Sequence, residues 1–301
     1  MTATATLRIG TRESRLALAQ AEIAAVALAP LVGATSLVPL TTRGDEISAR
    51  QARGRWVATD GQFTRELEQA LLDRRVDLVV HSYKDLPTEP IDGLAIGAVL
   101  ERADPRDCLM TRDGGGLDDL PFGARIGTSS PRRAAQIAAS RSDLIAMPIR
   151  GNVETRLRRL AAGEYDGLIL AAAGLDRLGI TVPNAARLPL DLMLPAPAQG
   201  ALALQIHGDD EALRTILAVV DHVPTRIAVE AERRLLRRLG GGCLAPLGAL
   251  GEVDGDRLRL RAAYEGPNGA FVRAEATGDA ADADVVIDEV AAAIASALAA
   301  V

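Results

Sequence analysis

Short apolar runs alternate with longer amphipathic stretches through most of the chain. Strands separated by helices in this way are typical of βα units and of a parallel or mixed sheet. The pattern predicts strands at Leu7–Gly10, Thr35–Thr41, Val76–His81 and Leu94–Val99, with helices at Ser14–Leu28 and Phe63–Leu72. The first part of the chain is therefore expected to form one α/β lobe.

The same alternation begins again after Asp104-Pro105. It predicts strands at Arg125–Thr128, Leu144–Ile149 and Gly167–Ala172, and helices at Pro131–Ser140 and Val153–Ala162. The Pro195-Ala196-Pro197 segment predicts a return crossing, after which Leu202–Ile206 rejoins the first lobe. From about Val223 the pattern changes to a charged helix, a glycine-rich turn, two strands and an alanine-rich helix. We therefore predict three domains: 1–102 with 199–220, 103–198, and 221–301.

Composition narrows the functional classes. The chain has 301 residues and a net charge of −6, which argues against a general nucleic-acid binder. Neither a run of about 18 apolar residues nor a signal-peptide core is present, so we expect no membrane association and a cytoplasmic location. The two cysteines, Cys108 and Cys243, and the three histidines lack zinc spacing, so no metal site is predicted.

Polar residues follow five of the predicted strands, where ligands bind in open α/β sheets. These clusters are 11–14, 81–85, 128–133, 150–152 and 173–177. They predict a cleft between the two lobes. Because most of their charged residues are arginines, the cleft suits a ligand with several carboxylates.

Lys84 is the only lysine among the 34 basic residues. Arginine replaces lysine easily on a solvated surface and poorly where a compact ammonium group must fit one place. Lys84 and its neighbour Asp85 are therefore candidates for an active site, with chance retention of the lysine as the alternative.

Two helix starts carry arginine in their first turns. Ser130 is a good N-cap and Pro131 a good first helical residue, and Arg132 and Arg133 follow at once. Positive charges in the first turn are unfavourable to the helix dipole, so they are not explained by helix stability. Together with the free backbone N–H groups they indicate a site that binds an anion. The alternative is that both arginines point into water. Asn152 likewise caps a helix that carries Arg156.

Three glycines, 240–242, precede Cys243. They permit the backbone to bring this cysteine close to a ligand. The alternative is a small buried side chain, the usual fate of a free cysteine, for which Cys108 is the better candidate.

Taken in order, five motifs resemble the porphobilinogen deaminase (hydroxymethylbilane synthase) family from about Leu7 to Gly248. They are 81–87 (HSYKDLP), 127–130 with Arg132-Arg133, 150–152 with Thr155-Arg156, 194–196 with Gln199-Gly200, and 241–243. The resemblance implies an α/β fold with two periplasmic-binding-protein-like lobes, a central active-site cleft, and a smaller C-terminal α+β domain.

The resemblance also implies the chemistry. Family members carry a dipyrromethane cofactor as a thioether, which here falls on Cys243. They condense four porphobilinogen molecules head to tail with loss of ammonia and release hydroxymethylbilane, the substrate of uroporphyrinogen III synthase in haem biosynthesis. We expect a transferase that acts as a monomer.

The family's site residues transfer by position. Asp85 is the expected catalytic carboxylate, which stabilises cationic intermediates. Expected cofactor-binding residues are Lys84, Ser82, Thr128, Ser130, Arg132, Arg133, Arg156, Arg177, Asn152 and Gly200. Expected substrate-binding residues are Arg12, Ser14, Gln20, Phe63, Arg150 and Gln199. The chain departs from the family in three places. Ala198 replaces a common glycine, Glu154 places an acid beside the Asn152 cap, and the lid loop lacks lysine, although Arg50, Arg53 or Arg55 are candidates to replace it.

Two alternatives remain at this stage. A two-lobed protein that binds small anions without catalysis explains the lobes and the arginines, but not the glycines before Cys243. An enzyme that forms a Schiff base through Lys84 is the second alternative.

Overall fold

The computed structural model describes residues 6–41, 64–242 and 244–300. The chain divides into two compact units: unit 1 comprises 1–103 and 201–226, and unit 2 comprises 104–200 and 227–301. The predicted crossings after 102 and after 198 lie within two residues of these divisions. The segment predicted as a third domain belongs mostly to unit 2 and carries its own sheet.

The strands, numbered along the chain, are β1 Leu7–Arg12, β2 Thr35–Leu40, β3 Leu78–Ser82, β4 Leu94–Val99, β5 Asp107–Thr111, β6 Arg125–Gly127, β7 Ile145–Met147, β8 Gly167–Ala171, β9 Ala186–Arg187, β10 Leu202–His207, β11 Leu247–Asp254, β12 Arg257–Glu265 and β13 Phe271–Asp279. The α-helices are α1 Arg15–Val32, α2 Arg65–Leu72, α3 Pro131–Ser140, α4 Val153–Ala161, α5 Ala172–Arg177, α6 Glu211–Leu217, α7 Val223–Arg238 and α8 Ala283–Ala299.

Unit 1 is built on a five-stranded sheet in the order β2-β1-β3-β10-β4. The pairs β2-β1 and β1-β3 are parallel, and β10 is antiparallel to both of its neighbours. Alternate residues of β3 face opposite sides of the sheet: Val80 joins the core formed with α1, and Val79 joins the core formed with α2. Helix α1 is long and apolar enough to cross a membrane by length and composition alone. Here it packs Ala21, Ala24 and Leu28 into the sheet core.

The lobe of unit 2 repeats this topology in the order β7-β6-β8-β5-β9. Again three strands are parallel, and the fourth, β5, is antiparallel to both neighbours. In each lobe the strand at the fourth position of the sheet is the first strand after the chain crosses from the other unit. This strand is β5 after the division at 103, and β10 after the division at 200. The two crossings therefore complete both sheets.

The C-terminal part of unit 2 forms an antiparallel sheet in the order β11-β12-β13. One face packs against α7 and α8 through residues such as Leu235, Leu260 and Val290. Leu250 and Ala263 form a separate cluster with Leu194 of the lobe. The prediction of α/β lobes and a smaller α+β domain is confirmed, whereas the central cleft stays a prediction.

The pattern missed the strands β5, β9 and β13 and the helices α5 and α6. Residues 173–177, predicted as a polar cluster that follows a strand, lie in α5. Strand β5 was missed because it begins with the charged residue Asp107, which nevertheless is completely buried. A charge at the start of a short apolar run is usually a sign of solvent, so local pattern alone favours a loop there.

Candidate functional site

In unit 1 the segment Tyr83–Asp85 forms a single 3₁₀ turn directly after β3. Its two apolar neighbours are anchored: Tyr83 is 5% exposed and Leu86 is 4% exposed. The Tyr83 backbone N–H also donates to the Ala201 carbonyl at 3.0 Å. As a result Lys84 is half-buried and Asp85 is exposed, so the carboxylate predicted to be catalytic is on the solvent side of a firmly held turn.

Two residues of unit 1 that were predicted to contact ligands are hydrogen-bonded to each other. The Gln20 amide Nε2 donates to the Ser82 hydroxyl Oγ at 2.7 Å, which ties α1 to the end of β3. Ser14 caps α1, and its Oγ accepts a hydrogen bond from the Ala17 N–H at 3.3 Å. Arg12 is the last residue of β1. Arg12, Ser14 and Ser82 thus lie at or just beyond the carboxyl ends of the neighbouring strands β1 and β3, as the sequence predicted, and Gln20 reaches Ser82 from α1.

His81, in the same motif, is a buried residue of the sheet. Its Nε2 lies 3.0 Å from Gln205 Oε1 on β10. Burial lowers the pKa of His81 to about 4, with a smaller contribution from the charge of Arg12. The imidazole is therefore neutral near pH 7 and donates to Gln205. It connects β3 to β10 and so supports the strand end from which the Lys84–Asp85 turn begins.

In unit 2 both predicted helix caps are confirmed. Ser130 Oγ accepts from the Arg133 N–H at 3.4 Å, and Pro131 is the first residue of α3. Asn152 Oδ1 accepts from the Thr155 N–H at 2.9 Å at the start of α4. Thr128 is buried, and its hydroxyl accepts from the Ser130 N–H at 3.2 Å.

The two arginines at the start of α3 are buried, so the alternative that they point into water is wrong. Arg132 is 3% exposed and Arg133 is 7% exposed. Each donates to the carboxylate of Asp107 at 2.7 Å. Burial alone would raise the pKa of Asp107, but the charges of the two arginines outweigh it and hold that pKa well below its usual range. Part of the hydrogen-bonding capacity of each guanidinium is therefore used within the protein, and cofactor binding by these two arginines stays a prediction.

Positive charge nevertheless remains in excess around α3 and α4. Two guanidiniums share one carboxylate, and the Nε atoms of Arg132 and Arg133 are buried without a hydrogen-bond partner among the described residues. Burial, and to a smaller extent the nearby charges of Arg133 and Arg150, lower the pKa of Arg156 to about 10. Such uncompensated charge fits the carboxylates of an anionic ligand.

The segment 194–200 is held by several predicted site residues. Arg177 Nη2 donates to the Gly200 carbonyl at 2.6 Å, and burial lowers the pKa of Arg177 to about 10. Gln199 is 1% exposed. Its Nε2 donates to the Pro105 carbonyl at 2.7 Å and to Asp107 Oδ1 at 2.9 Å. Arg177, Gln199 and Gly200 therefore have structural contacts besides any contact with a ligand.

Ala198, noted above as a departure from the family, has a φ of +62°. This backbone conformation favours glycine. The turn is fixed by Glu232 of α7, a completely buried residue whose Oε2 accepts from the Ala198 N–H at 2.6 Å and whose Oε1 accepts from the Gly251 N–H at 2.7 Å.

Three buried polar residues of this region were not predicted from the sequence: Asp107, Glu232 and Gln136. Gln136 binds both the N–H and the carbonyl of Leu194. Gln136 gave a weak signal, as a lone polar residue among alanines and an isoleucine, whereas Asp107 and Glu232 stand near other charged residues and gave none. Two predicted residues, Cys243 and Phe63, lie outside the described residues, as do Arg50, Arg53 and Arg55. Over 6–41, 64–242 and 244–300, no cluster of potential metal ligands is found.

Comparison with known proteins gives a consistent result. Residues 7–215 match the family model of the porphobilinogen deaminase dipyromethane cofactor binding domain, and residues 226–296 match that of the porphobilinogen deaminase C-terminal domain. A porphobilinogen deaminase from Desulforudis audaxviator is 49% identical over 90% of this chain and 88% of its own length. One from Roseiflexus sp. is 44% identical over 92% of this chain and 91% of its own length.

Among solved structures, substrate binding domain 2 of Lactococcus lactis GlnP, in an open conformation, matches with a TM-score of 0.44 and 9% identity, covering 80% of this chain and 92% of that chain. The family matches cover both lobes and the C-terminal domain. They fit the positively charged surroundings of α3 and α4 and the exposed carboxylate after β3. The chain therefore belongs to the porphobilinogen deaminase family, whose cofactor is dipyrromethane.

Proposed function

We propose that this chain is a transferase that joins four porphobilinogen molecules head to tail on a dipyrromethane bound to Cys243, then releases hydroxymethylbilane. Family membership supports this activity, since both family domains and close relatives match over about 90% of the chain. The observation that carries the site assignment is the contrast between an exposed Asp85 and a buried excess of guanidinium charge.

In this proposal the arginines bind carboxylates. Each pyrrole unit of the cofactor and of the growing product carries an acetate and a propionate. Arg132, Arg133, Arg156 and Arg177, with Lys84, would pair with those of the cofactor. When bound, the cofactor supplies the pyrrole carbon that is extended. A charge-assisted hydrogen bond contributes about 1.5–3 kcal/mol, so several of them hold a polyanion firmly.

Asp85 is proposed to assist the chemical step by stabilising positive charge on the substrate. Porphobilinogen becomes electron-poor as ammonia departs, and positive charge develops on its ring. A carboxylate within hydrogen-bond distance of the pyrrole N–H stabilises that charge. The position of Asp85 supports this role, because the turn is anchored by Tyr83 and Leu86 while the carboxylate itself is exposed. Arg12, Ser14, Gln20, Phe63, Arg150 and Gln199 are proposed to contact the incoming substrate.

Incubation with porphobilinogen tests the activity directly. We expect release of ammonia together with a linear tetrapyrrole in a ratio of four to one. A protein that binds anions without catalysis would release no ammonia, and the family assignment does not favour that alternative. An enzyme that uses a Schiff base at Lys84 would be trapped on that residue by borohydride. Binding without ammonia release, or trapping at Lys84, would contradict the proposal.

We further propose a cytoplasmic monomer that passes its product to uroporphyrinogen III synthase in haem biosynthesis. An unstable linear tetrapyrrole requires an enzyme that cyclises it, which supports this place in the sequence of reactions. Analytical ultracentrifugation tests the monomer, and a coupled assay with the cyclising enzyme tests the transfer. A dimer at micromolar concentration, or a product that the second enzyme does not accept, would contradict these two expectations.

A further inference from the structure

Asp107 occupies an unusual position for a carboxylate. It is completely buried at the start of β5, directly before the apolar residues Cys108–Met110. Both of its oxygens are used: Oδ2 accepts from Arg132 Nη1 at 2.7 Å, and Oδ1 accepts from Arg133 Nη2 at 2.7 Å and from Gln199 Nε2 at 2.9 Å. One side chain therefore orients three residues that the sequence assigns to the ligand site.

Stability alone gives little reason for this arrangement. Burying charges costs desolvation energy, and packed apolar residues commonly serve as well or better in such positions. The charges are also unequal, because two buried guanidiniums face one carboxylate. The Nε groups of Arg132 and Arg133 are left without partners among the described residues. A cluster selected only for stability would be balanced and satisfied.

The other contacts of the two arginines show how firmly they are held. Arg132 Nη1 also donates to the Leu194 carbonyl at 2.7 Å. Arg133 Nη1 donates to the Ile169 carbonyl at 2.8 Å. Each guanidinium is thus fixed by one carboxylate oxygen and one carbonyl, which restricts its rotation while its net charge is only partly cancelled. Pre-organised cations of this kind bind anions with a smaller entropy cost.

We propose that Asp107 is a positioning residue of the cofactor site: its two oxygens fix the guanidiniums of Arg132 and Arg133, and its single charge leaves one positive charge for a carboxylate of dipyrromethane. The inference rests on the proposed function, in which these arginines bind the cofactor. It adds a residue that acts only through them.

The test is cofactor loading per folded molecule. Cofactor-free protein is incubated with increasing porphobilinogen, and the fraction carrying the adduct is read from intact mass. Asp107→Asn, which keeps the shape and removes the charge, should raise the porphobilinogen concentration for half-maximal loading by about tenfold, as for other residues that orient a binding group. Asp107→Glu, which restores the charge in a longer side chain, should recover at least part of this loss.

Asp166→Asn is the matched control. Asp166 lies in the same lobe, pairs with Arg125 at 3.1 Å and touches neither Arg132 nor Arg133. It should load like the parent protein. If Asp107→Asn also loads like the parent, or if Asp166→Asn loses loading to the same extent, the positioning role is wrong. Equal losses in Asp107→Asn and Asp107→Glu would also overturn it.

If neither Asp107 variant folds, Gln199→Leu decides the question. It removes one donor to Asp107 and leaves all charges in place. Because Gln199 is also proposed to contact porphobilinogen, the rise in the loading concentration is compared with the rise in KM of the same variant after it has been loaded. A loading rise of about twofold or more that exceeds the KM rise, with Asp166→Asn unchanged, supports the inference, and a loading rise no larger than the KM rise contradicts it. A parent protein that never acquires an adduct would instead refute the proposed function, so the two failures are distinguishable.

Discussion

The two lobes share a strand order but differ in the exposure of the charged residues at their strand ends. In unit 1 a short turn after β3 leaves Asp85 exposed, and apolar anchors on both sides hold the backbone. In unit 2 the arginines after β6 are buried, and a protein carboxylate holds their side chains. A carboxylate that must meet each new substrate benefits from access, whereas cations that must retain one ligand benefit from fixed geometry. The same topology thus carries the proposed reacting group in one lobe and the proposed binding groups in the other.

The largest expected effect comes from the exposed side of this comparison. Asp85→Asn removes the charge that we propose to stabilise the cationic transition state, and it should reduce turnover by about 100- to 1000-fold. Because Asp85 is exposed, thermal unfolding should be nearly unchanged. Asp92→Asn, another exposed acid of the same lobe, is the control and should turn over like the parent. Parent-like turnover of Asp85→Asn would remove the proposed role of this carboxylate.

Next in size is a change on the buried side. Arg132→Leu leaves Asp107 Oδ2 without its arginine donor and leaves the Leu194 carbonyl with Gln136 Nε2 as its remaining donor. We expect a loss of about 1–3 kcal/mol in the free energy of unfolding, together with impaired cofactor loading. Denaturant titration and intact mass measure the two effects. Arg125→Leu removes an ion pair of the same lobe and should leave loading intact. Normal loading of Arg132→Leu would contradict the anion role.

A pH effect of similar size should come from His81. Its folded pKa is about 4 and lies below its unfolded value near 6.5, so the unfolded chain binds more protons between these pH values. The contribution of the neutral imidazole is complete above about pH 6.5 and is lost as the pH falls toward 4, to a maximum of about 3 kcal/mol. The measurement is the free energy of unfolding of the parent and of His81→Gln from pH 4 to 8. Parallel curves for the two proteins would show that the imidazole is not held neutral.

The smallest effect concerns the turn before Gln199. Ala198 has a positive φ, a conformation that costs an L-residue about 1–2 kcal/mol of folding free energy. Glycine would relieve this strain, but part of the relief is offset because glycine is more flexible in the unfolded chain. Ala198→Gly should therefore raise the free energy of unfolding by about 0.5 kcal/mol. Ala201→Gly, at a buried alanine without a positive φ, should lower it. Equal effects of the two substitutions would contradict this explanation.

The features that were predicted correctly from the sequence depend on residues close together along the chain. Ser130-Pro131 and Asn152 start helices because their signals lie within three residues of the backbone groups that they satisfy. Asp107 was missed because its partners are 25, 26 and 92 residues away. The Gln20–Ser82 bond, across 62 residues, was equally invisible, although each residue was predicted as a ligand contact. Burial of Arg132 and Arg133 depends on such distant partners, so the sequence indicated their location but not their state.

The most direct measurement for the whole account is the intact mass of the natively purified protein beside that of Cys243→Ser. The account predicts that the parent exceeds its polypeptide mass by two linked pyrrole units and that the variant does not. A parent whose mass equals that of the polypeptide, even after incubation with porphobilinogen, or a variant with the same excess mass, would contradict it.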